Sequence, residues 1–217
     1  MKHAFGLSIP QTIEDAIDLE STALIVYDMQ VGIIRQMKHG EEVLAKVGKM
    51  LEVAREVGLR TFFMRHTSLP KNLMGVFQWR QALAWQRKDS VDEVHPWFLR
   101  DSPGHAIVPE LTPLESEGVF DKIGMSAFEG TPLDTALRDC GIRTILIAGV
   151  AIEIGIEPTV RHAADLGYLP VLIEDACGAG HAEAGERAIA SMRFMGDALF
   201  TTIAETTTLL RRRRQPR

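Results

Sequence analysis

The stretch TILIAGVAIEIGIEPTVRHAADLGYLPVLIE, residues 144 to 174, decides the fold. Thr144 to Ala148 is a short apolar run of the kind that forms a strand buried on both faces. Gly149 ends it, Ile156 to Leu166 reads as a helix, and Val171 to Glu174 returns as a strand. A strand, a helix and a second strand of this length make a βαβ unit, which requires a parallel pair.

The same rhythm appears upstream. Ala23 to Tyr27 (ALIVY) is an apolar, β-branched run ending at Asp28. Glu41 to Val57 places Val43, Leu44, Val47, Met50, Leu51 and Ala54 at helical spacing and stops at Gly58. Arg60 to Met64 is the next strand. Further on, Gly118 to Lys122 and Ala198 to Thr201 read as strands, and Thr131 to Cys140 and Ala182 to Met195 as helices. Six strands alternating with helices predict an α/β fold: a three-layer, mostly parallel, doubly wound (Rossmann-like) sheet with helices on both faces. Ligands of such sheets bind beyond the carboxyl ends of the strands, near the point where strand order reverses. Asp28, Lys122 and the turn Gly149-Val150-Ala151 all fall at strand carboxyl ends.

Residues 66 to 117 break the rhythm. They hold all three tryptophans and five of the ten prolines, with no sustained period. The segment reads as a long functional loop, a lid or an oligomer contact, carrying one helix near Val76 to Gln86.

Composition narrows the function classes. The chain has 217 residues, 46% of them hydrophobic, enough for one compact domain over residues 1 to 210. The formal charge of −5 includes five arginines in the terminal RRRRQPR; without them 19 basic residues face 29 acidic ones. An acidic body is a poor partner for nucleic acid. The basic segment 211 to 217 reads as a solvated, frayed tail. No run is apolar and long enough to span a membrane, and the N-terminus has no signal-peptide pattern, so a cytoplasmic location is expected. Cys140 and Cys177 lack ligand or CxxC spacing and read as structural thiols.

Three motifs stand in order: ALIVYDMQ at 23 to 30, FDKIGMSAFEGTPLD at 120 to 134, and GVAIEIGIEPT at 149 to 159. Together they resemble the DxQ strand, the K-x-x-x-SAF-x-x-T segment and the nucleophile turn of the isochorismatase-like superfamily of cysteine hydrolases. The resemblance implies Asp28 as general acid/base and Lys122 as its partner. It also implies a cis peptide at Val150-Ala151 and an oxyanion hole from the N–H groups of residues 151 and 155. Gly155 stands where the cysteine nucleophile of that superfamily belongs. Isochorismatases carry glycine there too and cleave a vinyl ether without an enzyme nucleophile, with the aspartate protonating the enol carbon.

The physical chemistry of that role pulls two ways: an adjacent lysine lowers the pKa of Asp28, and burial raises it. Gln30, His66, Gln78, Arg80, Arg87, Phe128 and Glu153 are the candidate substrate-binding residues, an arginine serving as a carboxylate clamp and Trp79 or Trp85 as an apolar wall. Glu153 at a helix N-terminus is also explained by capping alone. The Asp/His/His set of metal-bearing relatives is absent, so neither a metal nor a cofactor is expected. Three readings remain open: a cysteine-independent hydrolase of a small carboxylate- or amide-bearing metabolite, with C–O cleavage favoured; an amidohydrolase whose nucleophile has been replaced; and a ligand-binding pseudoenzyme. The superfamily resemblance implies a homodimer or homotetramer.

Overall fold

In a computed structural model, residues 1 to 214 are described. A short hairpin opens the chain, β1 (Lys2–Ala4) and β2 (Leu7–Ile9), followed by the single turn α1 (Ile13–Ala16). The sheet then begins with β3 (Thr22–Tyr27), α2 (Val31–Ile34), α3 (Gly40–Val57) and β4 (Arg60–His66). After the long connection come α4 (Val76–Gln86), β5 (Gly118–Lys122), α5 (Leu133–Asp139) and β6 (Thr144–Val150). The chain closes with α6 (Glu157–Asp165), β7 (Leu169–Gly178), α7 (Ala182–Met195), β8 (Leu199–Thr201) and α8 (Ile203–Arg214).

The sheet order is β5-β4-β3-β6-β7-β8, and every pairing in it is parallel. From β3 the chain winds outward through β4 and β5, returns to the middle, and winds the other way through β6, β7 and β8. The reversal therefore lies between β3 and β6, where Tyr27 is in register with Gly149. Every residue of β3 and β6 is buried, because helices cover both faces. Leu24 and Val26 meet α3 and α8 on one side, and Ala23, Ile25 and Tyr27 meet α5, α6 and α7 on the other. That alternation is the period of two expected of a strand.

One reading of the C-terminal region needs correction. The basic tail is helical through Arg214: α8 buries Thr206, Leu209 and Leu210, and Arg211 donates to Glu56 of α3 at 2.8 and 3.0 Å. The apolar side of α8 docks on α3, and an acidic neighbour meets the cations in its last turn, where the helix dipole favours positive charge. The remainder of the predicted tail, 215 to 217, lies outside the described residues. No helix among the described residues is long and apolar enough to cross a membrane.

The β3–β6 junction leaves no room for a side chain at residue 149. Gly149 has φ +135°, and a Cβ there would overlap the carbonyl oxygen of Tyr27 and lie 2.8 Å from its nitrogen. Gly149→Ala is expected to cost about 3 kcal/mol or more, since backbone rather than a movable side chain is in the way. Urea unfolding of the variant measures it, and a loss below about 1 kcal/mol would contradict this packing.

Candidate functional site

Two charged side chains meet just beyond the switch point. Asp28 follows β3 with φ +49°, a left-handed turn that aspartate tolerates better than most residues. Its N–H donates to Met64 O at 3.0 Å, so the chain is still tied to β4 as it turns. Lys122 ends β5, two strands away, and donates through Nζ to Asp28 Oδ2 at 2.9 Å. The side chains of Lys122 and Asp28 are 1% and 10% exposed. The second carboxylate oxygen, Oδ1, is buried with no partner. Burial pushes the Asp28 carboxyl above the usual carboxylate range, and the attraction of Lys122 only partly offsets this. Burial also works against the Lys122 cation, but Asp28 and Tyr27 outweigh it and hold the amine above its ordinary value.

The peptide bond between Val150 and Ala151 is cis. A wide helical turn, Ile152–Ile156, follows it and leads into α6. The N–H groups of Ile154, Gly155 and Ile156 all donate to Ala151 O, at 3.3, 3.0 and 3.2 Å. This corrects one expectation: the N–H of Gly155, assigned to an oxyanion hole, is spent inside its own turn. Gly155 is buried, and a Cβ built on it would lie 2.5 Å from the Tyr27 hydroxyl and 2.6 Å from its ring carbon Cε1. Tyr27 is fully buried, donates to Met125 O, and lies under Lys122 Nζ at 4.6 Å from its ring centroid. Burial pushes its phenol up to about 12, so the hydroxyl keeps its proton.

A cleft of about 570 Å³ opens over these groups. Asp28, Lys122, Met125 and Ala151 form its floor; Ile33, Gln36 and Met37 form one side, and Trp85, Arg87, Trp97 and Phe98 reach in from the long connection. Glu153, Ile154, Gly180 and His181 complete the wall. Glu153 Oε1 accepts from the His181 N–H at 2.7 Å, at the start of α7, while Oε2 is buried and unpaired. One oxygen of Glu153 thus caps α7 rather than the helix that follows Glu153, and the other is buried near Gly185 of α7 without a partner.

Residues 22–207 match the model of the Isochorismatase domain. The chain belongs to the isochorismatase family. The isochorismatase family protein YecD of Escherichia coli O157:H7 is 31% identical over 170 residues, covering 77% of this chain and 85% of the relative. Ureidoacrylate amidohydrolase RutB of Methylorubrum extorquens is 27% identical over 176 residues, covering 74% and 71%. Among solved structures, a cysteine hydrolase from Pseudomonas syringae pv. phaseolicola superposes with a TM-score of 0.78 at 22% identity, covering 91% of this chain and 95% of its own. That last likeness concerns the fold alone.

Within this isochorismatase-family fold the remaining candidate residues separate cleanly. His66, Arg87 and Glu153 line the cleft with Asp28 and Lys122. Gln30 does not: it is fully buried, donating to the carbonyls of His66 and His105 at 3.0 and 2.9 Å and accepting from the His66 N–H at 2.7 Å. It braces the backbone beneath the site. Phe128 is core, stacked on Tyr168 at 5.6 Å between ring centroids. Arg80 is exposed in an open surface hollow that it shares with Arg87, Lys88 and Asp89, and it does not line the cleft. Gln78 lines a small side chamber behind the cleft with Trp85, Trp97 and Phe98, and its Oε1 has no partner. Cys177 does not reach the cleft; its thiol donates to Ile147 O at 3.5 Å and burial pushes it up. Reading motifs alone missed Tyr27, Trp97, Phe98 and His181. For Tyr27 a signal was available, a phenol closing an otherwise aliphatic strand next to the acid.

Burial lowers His66 to about 3, with the charges of Lys122 and His105 adding to the effect, so it stays neutral at the floor of the cleft. A group whose pKa falls on folding stabilises the folded state above its unfolded value, and this stability is lost as pH falls. Between about pH 6.5 and the folded value, His66 should cost up to about 1.4 kcal/mol per pH unit. Unfolding free energies at pH 7 and pH 5 in the parent and in His66→Asn would reveal it, and equal slopes would refute it.

Proposed function

We propose that this chain is a cysteine-independent hydrolase that cleaves the C–O bond of a small, carboxylate-bearing enol ether, with Asp28 as general acid. The observation that carries this reading is the unpaired, buried Oδ1 of Asp28 on the floor of a cleft whose nucleophile position has neither a thiol nor room for one. A carboxyl raised by burial is suited to carry a proton into a reaction near neutral pH. Lys122 fixes the other oxygen, so Oδ1 is the one left to deliver the proton.

The step balances without a covalent intermediate. Asp28 gives its proton to the terminal carbon of the enol ether, and the adjacent carbon becomes an oxocarbenium centre. Water adds there and returns a proton to the Asp28 carboxylate, and the resulting hemiketal collapses to a keto acid and an alcohol. Arg87 at the cleft wall is the group for the substrate carboxylate, because Lys122 is already engaged with Asp28 and Gly124 O. Trp85, Trp97 and Phe98 supply apolar walls for a ring-bearing alcohol.

Relatives named as amidohydrolases support hydrolysis as the general activity and make amide cleavage the second reading. The covalent route to it requires a nucleophile at residue 155, and the packing of Tyr27 against Gly155 weighs against both a thiol there and a recent loss of one. The deciding experiment is hydrolysis of isochorismate, chorismate and small carboxamides, with pyruvate and ammonia measured separately. Pyruvate release is expected, reduced by about 100-fold or more in Asp28→Asn. Because the acid form is the active one, kcat/KM should fall as pH rises through the elevated Asp28 pKa. Ammonia release alone would replace C–O with C–N cleavage, and tight binding without turnover would make the chain a binding protein.

A further inference from the structure

Gly155 is not required by its own backbone. It lies in a helical turn and lacks the positive φ that excludes other residues, so alanine would adopt the same conformation. On helix propensity alone, alanine would be preferred there. The obstacle is Tyr27, whose hydroxyl, Cε1 and Cζ lie 2.5, 2.6 and 2.9 Å from where the Cβ would stand. These atoms cannot swing aside, because the ring is fully buried and its hydroxyl is tied to the Met125 carbonyl. The space beside Asp28 is thus occupied from the strand side.

The same ring bears on the charged pair. Lys122 Nζ has the Asp28 carboxylate at 2.9 Å, the Gly124 carbonyl at 3.4 Å and the Tyr27 face at 4.6 Å from its centroid. A cation over an aromatic face is attracted by the ring quadrupole, the more so when water is excluded. Removing the ring takes away one of the three contacts that keep the amine against Asp28.

We propose that Tyr27 is a positioning residue: it fills the place of a nucleophile at residue 155, presses Lys122 onto Asp28, and thereby makes glycine obligatory at 155. Tyrosine and glycine act as one unit. This holds whichever bond the cleft breaks, because it concerns the geometry of the pair and not the substrate.

Two measurements on the full chain test it, neither needing turnover. The first is a double-mutant cycle in thermal unfolding. Gly155→Ala should lower Tm by about 5 °C in the parent, opposite in sign to its helix propensity. In a Tyr27→Leu background, where the three obstructing atoms are gone, the same substitution should cost nothing further. Equal losses in both backgrounds would overturn the steric unit. Should Tyr27→Leu not fold, Tyr27→Met fills the volume with a chain whose end can yield, and the same comparison applies.

The second measurement follows the Asp28 carboxyl carbon by NMR titration, assigned with Asp28→Asn. The groups around Asp28 are Lys122 from β5, Tyr27 from β3 and neutral His66 from β4, with Glu153, Arg87 and His181 lining the same cleft. Tyr27→Phe keeps the ring and should leave the midpoint unchanged. Tyr27→Leu frees Lys122 and should move the midpoint upward by about one unit. An unmoved midpoint in the leucine variant would show that Tyr27 only fills space, overturning its positioning role.

Discussion

A carboxylate and an amine held together out of water constrain the rest of this molecule. Removing two such charges from solvent costs several kcal/mol for each, and their attraction repays this only when the geometry is closely set. Asp28 and Lys122 stand at the ends of β3 and β5, with β4 between them. Their contact therefore depends on the register of two strand pairs, Tyr27 with Met64 and His66 with Lys122. A slip of one residue in either pair would turn one partner to the opposite face of the sheet. The wholly apolar runs of β3 and β6 make such a slip costly, and Gln30 pins the end of β4 through both the N–H and the carbonyl of His66.

Much of this was legible in the sequence because the sheet is governed by local rules. The boundaries of α4, β5 and α7 agree with the reading residue for residue, since each begins or ends at a change of pattern. Gly118 opens β5, and Gly196 with φ +73° closes α7. The hairpin β1–β2 and the helix α8 were not legible. The hairpin buries nothing along β2, so no apolar alternation marks it. Along α8 three consecutive threonines and an arginine run obscure the few buried residues that dock it.

The site divides along a physical line. Asp28 and Lys122 could be found because they end strands at the switch point, and topology alone places such residues together. The walls come from residues 66 to 117, where no period ties sequence to position; Trp97 and Phe98 are therefore placed by tertiary packing rather than by any local signal. Gln30 and Phe128 misled for the opposite reason. Both sit inside motifs, two and six residues from Asp28 and Lys122, yet their side chains support the backbone and core. Proximity along a strand or loop does not fix which way a side chain points.

Loss of a nucleophile is commonly read as loss of chemistry, but the packing here argues for a different partition of roles. A thiol at residue 155 would need space, a proton acceptor and a stabilised thiolate. The chain leaves no space for it: the place holds a phenol that keeps its proton, and the N–H groups of Ile154, Gly155 and Ile156 are donated to Ala151 O. What remains is one carboxyl oxygen without a partner, at the bottom of an apolar, arginine-bearing cleft. An unpaired buried polar atom is costly unless a ligand completes it. The persistence of the buried pair beside a filled nucleophile site therefore favours a substrate that takes a proton from Asp28 over one that accepts an attack by the enzyme.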